Sequence, residues 1–191
     1  MSYGKEESIF KHLYLFPERK KDFEEVTNID GTGVFYNCYD LDKEYYDGDE
    51  KKCKQIFAYL NHLEKQYKSS YVPAGCKYLN YWLYCELIKD NVSSYNTLFL
   101  YRKFLDKYIE KIGDDPNICE GYIEDINEDI YNKVKKILEL YERFNIFKDT
   151  KKSFATTHCT DAKECANTYS ALIEECHKYG NTYFCEALDK L

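Results

Sequence analysis

An all-α fold, a disulfide-stapled helical bundle around a central aromatic helix at about residues 75–89, is what three features of the sequence predict. Apolar residues recur at intervals of three and four along most of the chain, the spacing that puts them on one face of an amphipathic helix. No run alternates apolar and polar residues as a half-buried strand would. Nine cysteines, Cys38, Cys53, Cys76, Cys85, Cys119, Cys159, Cys165, Cys176 and Cys185, are spread over 191 residues. That density is typical of oxidising compartments and reads as a disulfide framework, although an odd number leaves at least one thiol unmatched within the chain.

The elements follow in order. One helix is expected within residues 5–26. From Glu50, the positions Cys53, Ile56, Phe57, Leu60, Leu63 and Tyr67 form a single stripe. The segment after Pro73 and Gly75, "CKYLNYWLYCEL" at 76–87, has Leu79, Leu83 and Leu87 on one side and Tyr81, Trp82, Cys85 and Ile88 on another. A helix apolar nearly all round belongs in the middle of a core. Ser93 or Ser94 can cap the next helix, whose stripe runs Leu98, Tyr101, Leu105, Tyr108 and Ile112 and which stops at Gly113 with Pro116 beyond. Asp125 followed by Glu128 resembles a capping box before Ile126, Ile130, Val134, Leu138 and Tyr141. Two last helices are separated by Gly180, with stripes Cys165, Tyr169, Leu172, Ile173, Cys176 and then Phe184, Leu188, Leu191. Residues 27–49, 113–125 and 147–158 read as loops. The whole, 1–191, is expected to be one helical, ectodomain-like domain ending in a helical hairpin at about 159–191.

Helical geometry constrains the cysteines. Cys76 and Cys85 are nine residues apart, so they point to opposite sides of their helix about 13 Å apart along its axis and need different partners. If the helix from Glu50 packs antiparallel to the central one, Cys53 and Cys85 fall near the same end, which favours the pair Cys53–Cys85. A hairpin turning at Gly180 sets position 185 opposite about 175, which favours Cys176–Cys185.

Charge and motifs exclude several functions. With 34 acidic and 27 basic side chains the net charge is −7, which repels phosphate backbones, so no nucleic-acid partner is expected. No run approaches the roughly 18 apolar residues of a membrane span, and the first thirty residues lack an uninterrupted signal-peptide core. Structural zinc sites use thiolates two to four residues apart, and no such pair exists; convergence of His158, Cys159, Cys165, Cys176 and His177 is the remaining route to a metal, and none is expected. His12, His62, His158 and His177 sit in no catalytic signature, and "GTG" at 31–33 lacks the third glycine of a dinucleotide site. No enzyme, catalytic residue or cofactor is expected. Asn91-Val92-Ser93 is an N-glycosylation acceptor pattern in a polar break.

The stretch "CKYLNYWLYCEL", with "CKQIFAYLNHLEKQYK" before it, resembles the "LNYWL"-type signature of the Plasmodium interspersed repeat (PIR) proteins, in particular the vivax-type (VIR) variant antigens, and the likeness runs from about Cys38 to Cys185. It implies a non-enzymatic antigen with a helical, cysteine-containing outer domain, a later transmembrane helix and a short cytoplasmic tail. A chain stopping at Leu191 with neither of the last two is expected to be a trimmed ectodomain or a short family member. The resemblance further implies export to the infected erythrocyte, at its surface or on associated membranes, without an ordinary signal peptide, and binding of a host cell-surface protein receptor in adhesion and immune evasion. Membrane contact would come only through a segment absent here. An intracellular scaffold or trafficking protein of the infected red cell is the alternative.

Overall fold

A computed structural model describes residues 9–28, 38, 41, 43–45, 49–66, 71–89, 95–150, 157–180 and 182–190, without the side chains of 44, 146–150, 157–162, 179 and 182. The described residues form seven α-helices: α1 (Phe16–Thr27), α2 (Glu50–Glu64), α3 (Tyr71–Leu83), α4 (Thr97–Lys111), α5 (Glu128–Thr150), α6 (Thr157–Tyr179) and α7 (Thr182–Asp189). The fold is all-α with disulfide bonds. The chain divides into two compact units, Glu18–Glu128 and Met1–Pro17 with Asp129–Leu191.

In the first unit α2, α3 and α4 pack mutually. α2 starts at Asp49, whose carboxylate accepts a hydrogen bond from the Lys51 amide at 2.9 Å, and buries the predicted stripe Cys53, Ile56, Phe57, Leu60 and Leu63 together with Tyr59. α3 begins at Tyr71, ahead of Pro73 rather than after it. A proline in the first helical turn costs nothing there, because that amide has no intrahelical acceptor. The helix continues into one π-helical turn, Tyr84–Ile88, where the Lys89 amide reaches the Tyr84 carbonyl at 2.9 Å. Cys76, Leu79, Leu83 and Leu87 are fully buried, but Tyr81, Trp82 and Cys85 are only half-buried. The central helix therefore keeps one partly open face, contrary to the expectation of burial all round. α4 is capped by Asn96, whose Oδ1 accepts from the Phe99 amide at 2.8 Å. Ser93 and Ser94, the expected caps, lie outside the described residues, as do Asn91 of the glycosylation pattern and Tyr67. The stop at Gly113 is as expected, with the Gly113 amide closing on the Tyr108 carbonyl at 3.0 Å.

In the second unit α5 starts at Glu128, so Asp125 stands three residues before the helix and forms no capping box. α5 and α6 run antiparallel: Lys136 pairs with Glu175 at 3.4 Å and Arg143 with Glu164 at 2.7 Å, partners rising on one helix as they fall on the other. Both helices reach into the segment 147–158 that was expected to be a loop. The α6–α7 turn uses Gly180 at φ +61°, a left-handed conformation that glycine adopts without a Cβ clash. α7 buries Phe184, Ala187 and Leu188, and Phe184 meets the edge of Phe10 at 5.9 Å. That contact draws the start of the chain into the same unit as its end.

Candidate functional site

The predicted site residues were all cysteines, and the structure sorts them. Cys176 bonds Cys185 across the α6–α7 turn, with Cα atoms 5.5 Å apart, the pairing favoured from hairpin geometry. The pairing Cys53–Cys85 is corrected. Cys53 bonds Cys38, Cα atoms 6.3 Å apart, and Cys85 is a free thiol. The relation between helix ends was right, since Lys52 of α2 donates to the Glu86 carbonyl at 2.9 Å. The π turn, however, changes the helical phase at Cys85, while Cys53 faces the long segment before α2, whose geometry no periodicity encodes. Cys76 bonds Cys119 with Cα atoms 5.4 Å apart, a pairing that was not anticipated. Cys165 is free and half-buried, and the side chain of Cys159 lies outside the described residues.

The Cys76–Cys119 bond is one of several fastenings that hold the segment between α4 and α5 across α3. Cys119 takes φ +62°, rare for a residue with a Cβ. Next to the bridge, the Lys77 ammonium lies 3.4 Å from the Glu124 carboxylate and donates to the Tyr122 carbonyl at 3.2 Å, both side chains almost fully buried. Asn80 donates to the Glu124 carbonyl at 2.7 Å, and the Thr97 hydroxyl to the Ile126 carbonyl at 3.3 Å. Ile118, Cys119 and Ile126 are buried in turn. An apparently polar loop, 113–125, is thus a strap with a buried inner face. Buried charge needs a partner and satisfied hydrogen bonds, and side chains on successive turns of α3 supply them to the strap.

A second polar cluster joins α1 to the ends of α2 and α3. The Tyr71 hydroxyl donates to Asp22 Oδ2 at 2.8 Å, so its oxygen accepts from His62 Nε2 at 2.6 Å. The Arg19 guanidinium stacks 3.7 Å over the Tyr71 ring and reaches Asp22 at 3.2 Å. The His62 ring is stacked on Tyr59 at 6.1 Å and meets the edge of Tyr71 at 5.7 Å. Burial lowers the pKa of His62, with Arg19 and Lys65 adding to the effect and Asp22 opposing it. Burial and then the hydrogen bond to Asp22 raise that of Tyr71. The sequence shows His62 only as a histidine in no catalytic signature, because no spacing rule links positions 19, 22, 62 and 71.

This chemistry is that of attachment. His62 donates into a tyrosine already committed to Asp22. Among the described residues no three His, Cys, Asp or Glu side chains gather as a metal site. Among them, too, no helix is long and apolar enough to cross a membrane. Among the described residues Tyr14, Phe99, Tyr122 and Tyr169 are the large hydrophobic side chains left exposed. No protein-family model matches the chain, and no curated protein or solved structure does either.

Proposed function

We propose that the chain is a non-enzymatic antigen of the Plasmodium interspersed repeat type, exported to the infected erythrocyte, where it binds a host cell-surface protein receptor in adhesion and immune evasion. The observation that supports this reading is the set of three disulfides among the described residues, each joining a helix to a separate segment or helix. In the chain-entropy account, bridges spanning 15, 43 and 9 residues contribute about 3, 4 and 2.6 kcal/mol. A scaffold fixed in that way holds its fold outside the cell while exposed faces, including Phe99, Tyr122 and Tyr169, remain available to a partner. Membrane attachment belongs, in this reading, to a segment outside the present sequence. The test is binding of the oxidised chain to a panel of host surface receptors, with a reduced and alkylated control. Saturable binding that reduction abolishes is expected, and consistent absence of binding overturns the adhesion role.

Two thiols that are free among the described residues, Cys85 and Cys165, favour a second reading, a scaffold or trafficking protein in the reducing interior of the infected cell. Thiol titration of unfolded protein, isolated without reductant, separates the two. Nine titratable thiols would support the intracellular role.

A further inference from the structure

We propose that His62 is an acid-sensitive contact through which pH sets how firmly α1 is held on α2 and α3. Within this unit α1 meets α2 and α3 through a cluster of polar contacts: Asp22 accepts from Tyr71, Arg19 stacks on Tyr71, and Tyr71 accepts from His62. Beside them Phe23 lies edge-on to Tyr59 at 5.0 Å and tilted against Trp82 at 4.9 Å.

The groups that face His62 are Arg19 and Asp22 from α1, Tyr71 from α3, Tyr59 from its own helix, and Lys65 and Gln66 just beyond that helix, the Gln66 amide nitrogen 3.5 Å from Nε2. As a neutral imidazole with its proton on Nε2, His62 donates to the tyrosine oxygen while its ring stacks on Tyr59 and meets the edge of Tyr71. A second proton adds no bond to the chain running to Asp22. It places a cation in a partly desolvated position, beside an Arg19 guanidinium that already occupies the carboxylate. Withdrawal of α1 returns the imidazolium to water and removes Arg19. Because the folded pKa of His62 is lowered, the unfolded or undocked form binds the proton more tightly. The contribution is therefore intact above the free-histidine value of about 6.5, and it is lost as pH falls from there toward the lower folded value.

Amide hydrogen exchange on the full chain, corrected for intrinsic rates, reads this directly at pH 7.5 and 5.5. The expected result is selective loss of protection in Phe16–Thr27 at the lower pH, ahead of α2 and α3. His62→Gln keeps a side-chain N–H for Tyr71 but cannot titrate, and should abolish the pH dependence. Equal protection at both pH values in the wild type, or the same loss in the variant, overturns the proposal. Should the variant not fold, NMR titration of the His62 ring in the wild type decides: a midpoint at or above about 6.5 overturns it, and a lower one supports it.

Discussion

Gly75 of α3 lies so close to Leu63 of α2 that a Cβ built on the glycine would collide with the leucine Cδ2, while standing 3.3 Å from the Tyr59 hydroxyl. Leu63 and Tyr59 are fully buried, so neither can swing aside into solvent. Helix propensity alone would favour alanine here by about 1 kcal/mol. Overpacking of a filled core costs about 1–3 kcal/mol and should prevail. Gly75→Ala is therefore expected to lower stability, and Gly75→Val to lower it further, in urea denaturation; an alanine variant more stable than the parent would show that α2 and α3 separate easily.

The buried pair Lys77–Glu124 gives a double-mutant cycle with a definite sign. Lys77→Met leaves a carboxylate almost fully out of water without its cation, which should cost about 3–5 kcal/mol. Adding Glu124→Leu removes the stranded charge, and most of the loss should be recovered. If the double variant is as unstable as the sum of its singles, the pair is not coupled and the strap is held by its disulfide and backbone bonds alone.

How far this was legible in the sequence depends on what kind of rule governs each residue. Leu60, Leu63, Leu79, Tyr101 and Val134 belong to stripes of three- and four-residue spacing because burial on a helix demands it, and all five are buried, whereas Leu98, Ile112 and Leu138 of the same stripes are half-buried. Cys176–Cys185 was legible because Gly180 sets both the turn and the distance. Cys38–Cys53 and Cys76–Cys119 were not, since each has one partner in an irregular segment where position along the chain does not fix position in space. The inner face of the strap was hidden for the same reason: Glu124 and Asp125 look like loop acids, and only Lys77 and Asn80 on the facing helix reveal that Glu124 is buried. Cys165 and Tyr169 continue the stripe of α6, yet they are half-buried and exposed, because an amphipathic stripe reports what could be covered and not what is.

Cys85 should be a sluggish thiol. Burial pushes its pKa up to about 11, with Glu86 adding to the rise and a hydrogen bond from Tyr81 opposing it. Only the thiolate attacks an alkylating agent, so at pH 8 roughly one part in a thousand of Cys85 is reactive, and its rate should climb about tenfold per pH unit up to pH 10. Mass-spectrometric mapping of iodoacetamide-treated native protein checks this, with a non-reducing digest of the same sample expected to return Cys85 unlinked and Cys176 joined to Cys185. A pH-independent rate would mean that local opening, not ionisation, limits access.

Glu64 makes the last case, because one carboxylate at the end of α2 serves two other segments. Its Oε2 accepts from the Tyr108 hydroxyl of α4 at 2.6 Å, and its Oε1 accepts from the amides of Asp114, at 2.7 Å, and Asp115. The two amides begin the strap just after Gly113, where the helix has ended and no carbonyl is in line to receive them. Glu64→Ala removes all three bonds and leaves the Tyr108 hydroxyl without this acceptor, a loss expected to be about 1–3 kcal/mol. Glu64→Gln keeps an oxygen for the amides and turns an amide N–H toward Tyr108, whose oxygen can accept, so it should cost much less. The measurements are urea midpoints of both variants and exchange rates of the Asp114 and Asp115 amides, which should rise in the alanine variant while those inside α3 hold. Equal effects of the two substitutions would indicate that the negative charge, rather than the directed acceptor, fastens the strap to α2.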